Sequence, residues 1–325
     1  HDAGELENES GSSFFSHPEA ADYLRQTGLN QGSDEYLKMV ESAKKTVSVP
    51  VIPSLNCVSG KWWKKSARAI QDAGADALEL NIAIMPTNPA DPAEEIEKHM
   101  VSIVESIKKQ VDLPLAVKIG SHFTSIPRIS ARLREAGASS LVLFNRFYQT
   151  NIDIEKLELV SGYVFSNPDE ISLPLRWISI LYEEVGCELA SSTGVHSGED
   201  MIKLLLAGAQ TVQICSVLYQ KGMKSISTIL NELSAWMDRH NFASVDEFRG
   251  ILMSSGGGGK IFFLLHRIPP EGHYVVDPQI LAIHQEVLGF LPGKAATEHV
   301  GDGVHIVFVL NGCADPQGPR AHPRA

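Results

Sequence analysis

The chain has 325 residues, of which 43% are hydrophobic and 21% are charged. This balance is typical of a globular protein and excludes a collagen, a coiled coil or a largely disordered chain. With 28 basic residues against 39 acidic ones, the net charge of −11 lacks the electrostatic footprint of a nucleic-acid binder and would be repelled by an anionic membrane surface.

The cysteines and the hydropathy pattern indicate the cellular compartment of the protein. The four cysteines are scattered without a CxxC pair, at Cys57, Cys187, Cys215 and Cys313. This spacing predicts neither a disulfide framework nor a zinc knuckle, and the histidines after Ser254 lack metal-ligand spacing. No apolar run approaches the ~20 residues that span a bilayer, and no charged-then-apolar leader opens the chain. We therefore expect a cytoplasmic protein with reduced thiols, no metal, and no nucleic-acid or membrane partner.

The predicted elements alternate along the chain. A polar stretch over residues 1–35 is typical of a loop, and a helix follows over 36–46. Apolar residues at spacings of three and four predict further helices over residues 61–72, 93–111, 126–136, 175–185, 198–206 and 226–239. Short continuous apolar runs predict strands that begin at Val49, Asp76, Leu113, Ser140, Glu188 and Thr211.

An internal repeat links these elements. The tripeptide Ala-Gly-Ala recurs around Gly74, Gly137 and Gly208, each time after a helix and before a strand. A glycine at such a point fits the left-handed residue that ends a helix. The glycines are 63 and 71 residues apart, which is about twice the length of one βα unit, and a second strand lies in each interval. The alternation predicts a parallel sheet with right-handed connections.

The strand count leaves two architectures open. Six βα units are readable, whereas a closed (β/α)8 barrel has two more. A doubly wound open sheet can be built from six strands. The Ala-Gly-Ala units favour an α/β fold of the (β/α)8 TIM-barrel type, incomplete at its N-terminus.

A change of composition after Ser254 predicts a domain boundary. We assign residues 1–254 to the barrel domain and residues 255–325 to a tail that begins with the flexible linker Gly256–Gly259. Strands are predicted at 274–276 and 304–310, a helix at 280–290 and disorder from 314 onward. The tail is an unrelated extension, the product of a misread frame, or a permuted replacement that supplies the missing strands.

Polar residues follow the predicted strand ends, where the active site of such a barrel lies. Three of them are asparagines, Asn56, Asn81 and Asn145, whose amides supply donors and acceptors to a flat polar group, although a single asparagine there is more often a turn former. Lys118 lies inside the apolar run 115–119 and points either to solvent at the rim or to an anion or electron-rich cofactor.

The loops after the last two strands favour phosphate binding. They contain Thr193 and Gly194 in one case and Cys215 and Ser216 in the other, and small residues with free backbone N–H groups are typical of a phosphate site here. His196 is a candidate base in the first of these loops, although most loop histidines are solvated.

Five segments resemble the dihydroorotate dehydrogenase family, in particular its bacterial dihydroorotate dehydrogenase-like branch: residues 51–56, 73–81, 115–119, 144–148 and 207–213. The resemblance extends to about Gly250. It implies an FMN-binding TIM barrel, a soluble enzyme of pyrimidine biosynthesis that takes a small-molecule substrate, and a homodimer. It also implies that the family's first two βα units would precede His1.

The resemblance implies roles for individual residues. Lys118 matches the lysine that contacts the flavin ring, and Asn81 and Asn145 match asparagines between flavin and substrate, with Asn56 as a third. The two pairs Thr193–Gly194 and Cys215–Ser216 match the residues that hold the FMN phosphate. The soluble members carry a cysteine base in the loop after the second asparagine, but here Met85 takes that place, and a thioether does not accept a proton. The catalytic base is therefore not assigned.

Three functions remain open from the sequence. The first is an FMN-dependent oxidoreductase that converts dihydroorotate to orotate by hydride transfer to flavin. The second is a non-catalytic or fragmentary barrel that retains only phosphate or flavin binding, and Met85 together with the missing strands motivates it. The third is a lyase or isomerase with a phosphorylated ligand, against which we count the lack of an obvious carboxylate–lysine pair at the strand ends.

Overall fold

The computed structural model describes residues 31–56, 60–147, 149–161, 165–253 and 305–307. Its helices are α1 (Gln31–Thr46), α2 (Gly60–Asp72), α3 (Ala93–Lys108), α4 (Ile126–Glu135), α5 (Ser172–Leu181), α6 (Gly198–Leu206), α7 (Ser216–Lys221) and α8 (Lys224–His240). Its strands are β1 (Ser54–Leu55), β2 (Leu78–Asn81), β3 (Leu115–Ile119), β4 (Ser140–Leu143), β5 (Thr150–Asp153), β6 (Glu158–Ser161), β7 (Glu188–Ser191), β8 (Thr211–Gln213) and β9 (His305–Val307). Short 3₁₀ turns lie at Pro168–Ile171 and Val245–Glu247.

The main sheet has seven strands in the order β1-β2-β3-β4-β7-β8-β9, and all its neighbours are parallel. In the register, Asn81 lies beside Lys118, and Lys118 lies beside Val142. Parallel neighbours in register point to the same face, so these side chains share one side of the sheet. The predicted parallel sheet is confirmed.

A contact across the sheet shows that it is curled. The side chains of Glu79 on β2 and Gln213 on β8 are hydrogen-bonded, with 2.5 Å between Gln213 Nε2 and Glu79 Oε2. Their strands are four spacings apart in the order, about 19 Å in a flat sheet. Two side chains of this length do not bridge such a gap. The sheet therefore wraps around Glu79 and Gln213, and the fold is a partial (β/α) barrel rather than a doubly wound open sheet.

Helix ends and apolar faces explain why the units repeat. Gly137 and Gly208 both have φ of 110°, in the left-handed region that the repeat predicts. The backbone N–H of the alanine after each glycine donates to a carbonyl five residues earlier, which closes the helix and turns the chain into the next strand. The buried face of α3 packs against the sheet with Ile96, Met100, Ile103, Val104 and Ile107.

Some elements differ from the sequence prediction. Helix α1 begins at Gln31, so the loop predicted over residues 1–35 is wrong for its last five positions, and residues 1–30 lie outside the described ranges. Strands β5 and β6 form an unpredicted antiparallel hairpin whose Leu157 is 86% exposed. In the tail, β9 falls within the strand predicted at 304–310 and pairs with β8, while the elements predicted at 274–276 and 280–290 lie outside the described residues. Within the described ranges, none of the helices combines the length and apolar character that a membrane crossing needs.

Candidate functional site

Two asparagines meet at the carboxyl ends of the strands. Asn81 ends β2, and Asn145 lies two residues beyond the end of β4. The Asn145 side-chain Nδ2 donates to Asn81 Oδ1 at 2.9 Å, and the Asn145 backbone N–H donates to the carbonyl of Ile119 at 2.8 Å. The structure thus brings together two of the three predicted asparagines. Asn56 follows β1 with an exposed side chain, and it does not take part in this contact.

Lys118 points into the barrel rather than to solvent. The residue is 7% exposed, and its Nζ donates to Gln213 Oε1 at 2.9 Å. Its register partner on β2 is Asn81, so the ammonium group lies on the same face as the asparagine pair. The solvent-facing alternative is wrong. A lysine that is buried inside a barrel needs polar partners, because an isolated ammonium group is costly to remove from water.

Those partners include two residues that the sequence analysis did not single out. Glu79 is 1% exposed and Gln213 is 5% exposed, and Glu79 Oε1 lies 3.7 Å from Lys118 Nζ. The hydroxyl of Ser54 donates to the same Glu79 oxygen at 2.6 Å. A signal for Glu79 was present: it stands two residues before Asn81 in an apolar strand, and strand alternation puts both on one face.

The Glu79–Lys118 pair corrects one argument. The sequence analysis took the lack of an obvious carboxylate–lysine pair at the strand ends as evidence against a lyase or isomerase. The structure contains such a pair in the barrel, so this evidence no longer holds. The pair was missed because its members lie 39 positions apart on neighbouring strands, with nothing in the local spacing to connect them. A preference for an oxidoreductase therefore needs other support.

The first predicted phosphate loop has an unusual backbone. Thr193 and Gly194 follow β7 with φ of 81° and 82°, so two consecutive residues are left-handed. A non-glycine residue in this region is strained, and such strain clusters at functional sites. A Cβ on Gly194 would overlap the backbone nitrogen of Ile171, so the loop packs directly on the 3₁₀ turn at 168–171. Thr193 Oγ1 donates to the carbonyl of Phe144 at 3.3 Å.

The helix that follows this loop has its N-terminus already capped. The backbone N–H of Gly198 donates to Glu232 Oε2 at 2.5 Å, and that of Asp200 donates to the hydroxyl of Ser197 at 3.2 Å. The carboxylate of Asp200 accepts the backbone N–H of His196 at 3.0 Å. Two carboxylates at this end of α6 disfavour an anion on its first turn. A phosphate would therefore meet the Thr193–Gly194 turn rather than α6.

The second predicted phosphate loop joins a hydroxyl cluster. Cys215 is exposed at the end of β8, and Ser216 Oγ accepts from the backbone N–H of Ser166 at 2.9 Å. The hydroxyls of Ser166 and Ser216 lie 3.0 Å apart, and Ser166 Oγ lies 3.2 Å from His196 Nε2. The two loops are thus linked through Ser166, which the sequence analysis did not single out.

His196 is buried in this cluster and not solvated, being 7% exposed. Burial lowers the pKa of His196 below its ordinary 6.5, and the nearby Lys221 lowers it further against the opposing effect of Asp200. The imidazole is therefore neutral near pH 7. Its nitrogen can exchange a hydrogen bond with Ser166 but carries little charge toward an anion.

The loop after β2 holds a thioether where the resemblance implies a cysteine. Met85 lies in the loop after β2, four residues past Asn81, and it is 38% exposed. Its sulfur is a weak acceptor that does not take up a proton. Of the four cysteines, Cys187 and Cys215 belong to the described residues, at the start of β7 and the end of β8. Neither lies in the Met85 loop.

Comparisons with known proteins agree with this geometry. The profile of the family described as Dihydroorotate dehydrogenase matches residues 14–237, well over half of the chain. The catalytic subunit of dihydroorotate dehydrogenase B (NAD(+)) from Thermoplasma acidophilum is 25% identical over 233 residues, covering 70% of this chain and 77% of its own length. The protein of the same name from Methanothermobacter thermautotrophicus is 28% identical over 224 residues, covering 67% and 72%. That from Methanocaldococcus jannaschii is 26% identical over 237 residues, covering 70% and 77%.

The length and order of the match, together with the barrel and its inward lysine, lead to one conclusion. The chain belongs to the dihydroorotate dehydrogenase family, a family of oxidoreductases.

Proposed function

We propose that the chain is an FMN-dependent oxidoreductase that removes hydrogen from a CH–CH bond of dihydroorotate or a close analogue, as a step of pyrimidine biosynthesis. The observation that carries the proposal is the ammonium group of Lys118, which is buried within the barrel beside the Asn81–Asn145 pair. Family membership, rather than the absence of a carboxylate–lysine pair, supports an oxidoreductase over a lyase or isomerase.

The residues present fit FMN at both ends. Lys118, Asn81 and Asn145 would hold the ring, because an ammonium and two amides match its polar edge. Thr193, Gly194, Cys215 and Ser216 would hold the phosphate. The left-handed Thr193–Gly194 turn would offer its backbone N–H groups to the phosphate, and the contact of Gly194 with the Ile171 backbone holds this turn in place. When bound, FMN would supply the acceptor for the hydride.

The side chains of the chain itself have defined tasks in this proposal. Lys118 would place a positive charge beside the ring, and this charge would stabilise the reduced state. Asn81 and Asn145, with Asn56 as a third, would orient a planar diamide through amide hydrogen bonds. The Asn81–Asn145 contact at 2.9 Å fixes the direction of both amides before a substrate arrives.

The second candidate is a barrel that binds flavin without oxidising dihydroorotate, and Met85 favours it. As the resemblance implies, a cysteine in this loop takes the substrate proton in the soluble members of the family, whereas Met85 provides no base. The two candidates differ in one measurement. Anaerobic addition of dihydroorotate bleaches the flavin spectrum if the chain is an oxidoreductase and leaves it unchanged if it only binds flavin.

We also propose a cytoplasmic location and a homodimer, both as the family resemblance implies. Sedimentation at several protein concentrations tests the second of these. A mass of one chain at every concentration would contradict it.

The proposed site is tested by Lys118→Met. We expect the purified protein to show flavin absorption bands after gel filtration and the variant to lose them, with at least a tenfold weaker flavin affinity, because the buried cation is gone. The matched control is Lys98→Met on the exposed face of α3, which removes a lysine paired with Glu95 far from the barrel interior. Full flavin retention by Lys118→Met would reject the site assignment.

A further inference from the structure

We propose that Glu79 is a positioning residue for Lys118: it orients Gln213 so that the lysine ammonium is held in place, and it offsets part of the ammonium charge. The inference deepens the proposed function and rests on it for the role of the charge. Glu79 is 1% exposed at the centre of β2, and all its described polar partners belong to β1, β3 and β8.

Each oxygen of the Glu79 carboxylate has its own donor. Ser54 Oγ donates to Oε1 at 2.6 Å, and Gln213 Nε2 donates to Oε2 at 2.5 Å. With its Nε2 directed to Glu79, Gln213 turns its Oε1 toward the ammonium of Lys118, 2.9 Å away. The Gln213 amide is thus a relay between the carboxylate and the ammonium.

Donor and acceptor chemistry fixes this arrangement in one direction. A carboxylate only accepts hydrogen bonds and an ammonium only donates them. If the Gln213 amide were turned round, its Oε1 would face the Glu79 carboxylate and its Nε2 would face the Lys118 ammonium. Neither pair can form a hydrogen bond, so this orientation is excluded while Glu79 is charged. Replacing the carboxylate by an amide removes one of these two constraints. The ammonium of Lys118 still requires Gln213 Oε1, but Gln213 Nε2 loses its charged acceptor, so the Gln213 amide is held less firmly.

The same carboxylate affects the charge of the site. Glu79 Oε1 lies 3.7 Å from Lys118 Nζ in an interior where both groups are buried, and an opposite charge at this distance acts strongly. A negative charge near the bound ring disfavours its reduced, more negative state. Glu79 therefore restrains the electron affinity that Lys118 alone would confer on a flavin.

The decisive variant is Glu79→Gln, measured by the midpoint potential of the bound flavin. We expect the variant to bind reduced flavin at least tenfold more tightly relative to oxidised flavin than the parent does, a rise of about 30 mV for a two-electron couple. The matched control, Glu97→Gln, removes a carboxylate that pairs with Arg132 at 2.7 Å between α3 and α4, and it should leave the potential unchanged. An unchanged or lower potential in Glu79→Gln would overturn the charge role.

A double-mutant cycle tests the pairing without any flavin. Unfolding by denaturant at pH 7 compares Glu79→Gln, Lys118→Met and the double variant. We expect the double variant to lose much less stability than the two single losses combined, because each single change leaves the other charge buried without its counterpart. Additive losses would overturn the positioning role. If the parent binds no flavin yet the losses are non-additive, the proposed function fails and the pairing stands.

Discussion

At the scale of single residues, the sequence predicts some of the groups that face the barrel interior, but neither Glu79 and Gln213 nor the contacts among them. Lys118 stood out because a lysine inside an apolar strand is costly to bury unpaired. The sequence left two orientations open for its side chain, toward solvent or toward a ligand inside the barrel, and the structure has it inside the barrel. Its partner Gln213 was not predicted. That contact joins positions 95 residues apart, and it exists only because the sheet curls.

Gly194 gives a residue-scale prediction. We expect Gly194→Ala to weaken flavin binding and to lower the free energy of unfolding by about 2–4 kcal/mol, from the strain of a left-handed alanine and the overlap with the backbone of Ile171. Gly74→Ala is the matched control: its φ is 88° but its Cβ would meet open space, so only about 1 kcal/mol should be lost. Equal losses in chemical denaturation would show that the contact with Ile171 does not matter.

At the scale of elements, apolar spacing predicted the helices well and their ends less well. Helix α6 runs from Gly198 to Leu206 as predicted, because a serine cap begins it and an Ala-Gly-Ala unit ends it. Helix α5 begins at Ser172, three residues before the prediction, since a 3₁₀ turn with its own asparagine cap leads into it. The β5–β6 hairpin was missed because its strands pair with each other outside the sheet, and no core burial marks them.

The loop between β7 and α6 gives an element-scale prediction about pH. Since burial lowers the pKa of His196 below 6.5, the unfolded chain takes up this proton first as the pH falls. The contribution of the neutral His196 to the free energy of unfolding is therefore fully present above pH 6.5, and it is lost as the pH drops toward the pKa of the folded state. We expect His196→Asn to flatten the decline in unfolding free energy between pH 7 and pH 5, as measured by urea denaturation at each pH. An unaltered slope would contradict the lowered pKa.

At the scale of the whole molecule, the repeat predicted the parallel α/β architecture and the strand count predicted a partial barrel. Six strands, β1 to β4 together with β7 and β8, form the parallel sheet that the Ala-Gly-Ala units indicate. The seventh, β9, comes from the tail and extends the sheet beyond β8. The domain boundary at 254 stays a prediction. Periodicity within the tail predicted a strand there, but no local pattern could show which edge it joins.

Strand β9 gives the prediction at this scale. In the register, Ile306 lies beside Val212 of β8. Successive N–H groups of a strand point in opposite directions, so replacing both Ile306 and Val307 by proline removes one backbone donor directed at β8. We expect this variant to have a lower melting temperature and more association in light scattering, because the edge of β8 becomes available to other chains. Replacing both residues by threonine keeps the backbone N–H groups and should give a melting temperature close to that of the parent. If the proline variant matches the threonine variant in both measurements, β9 contributes nothing to the sheet.

The relay through Gln213 also sets an order for biogenesis. Glu79 and Gln213 are 134 positions apart, so a nascent chain exposes the carboxylate and Lys118 long before the ribosome has made the amide that joins them. Until β8 is synthesised, Glu79 and Lys118 lack the Gln213 amide as a hydrogen-bond partner. Charged groups without such partners are more stable in water than in a closed interior. The early strands therefore gain little from closing alone. Only with β8 in place does a closed interior supply hydrogen-bond partners for the charged centre of the site.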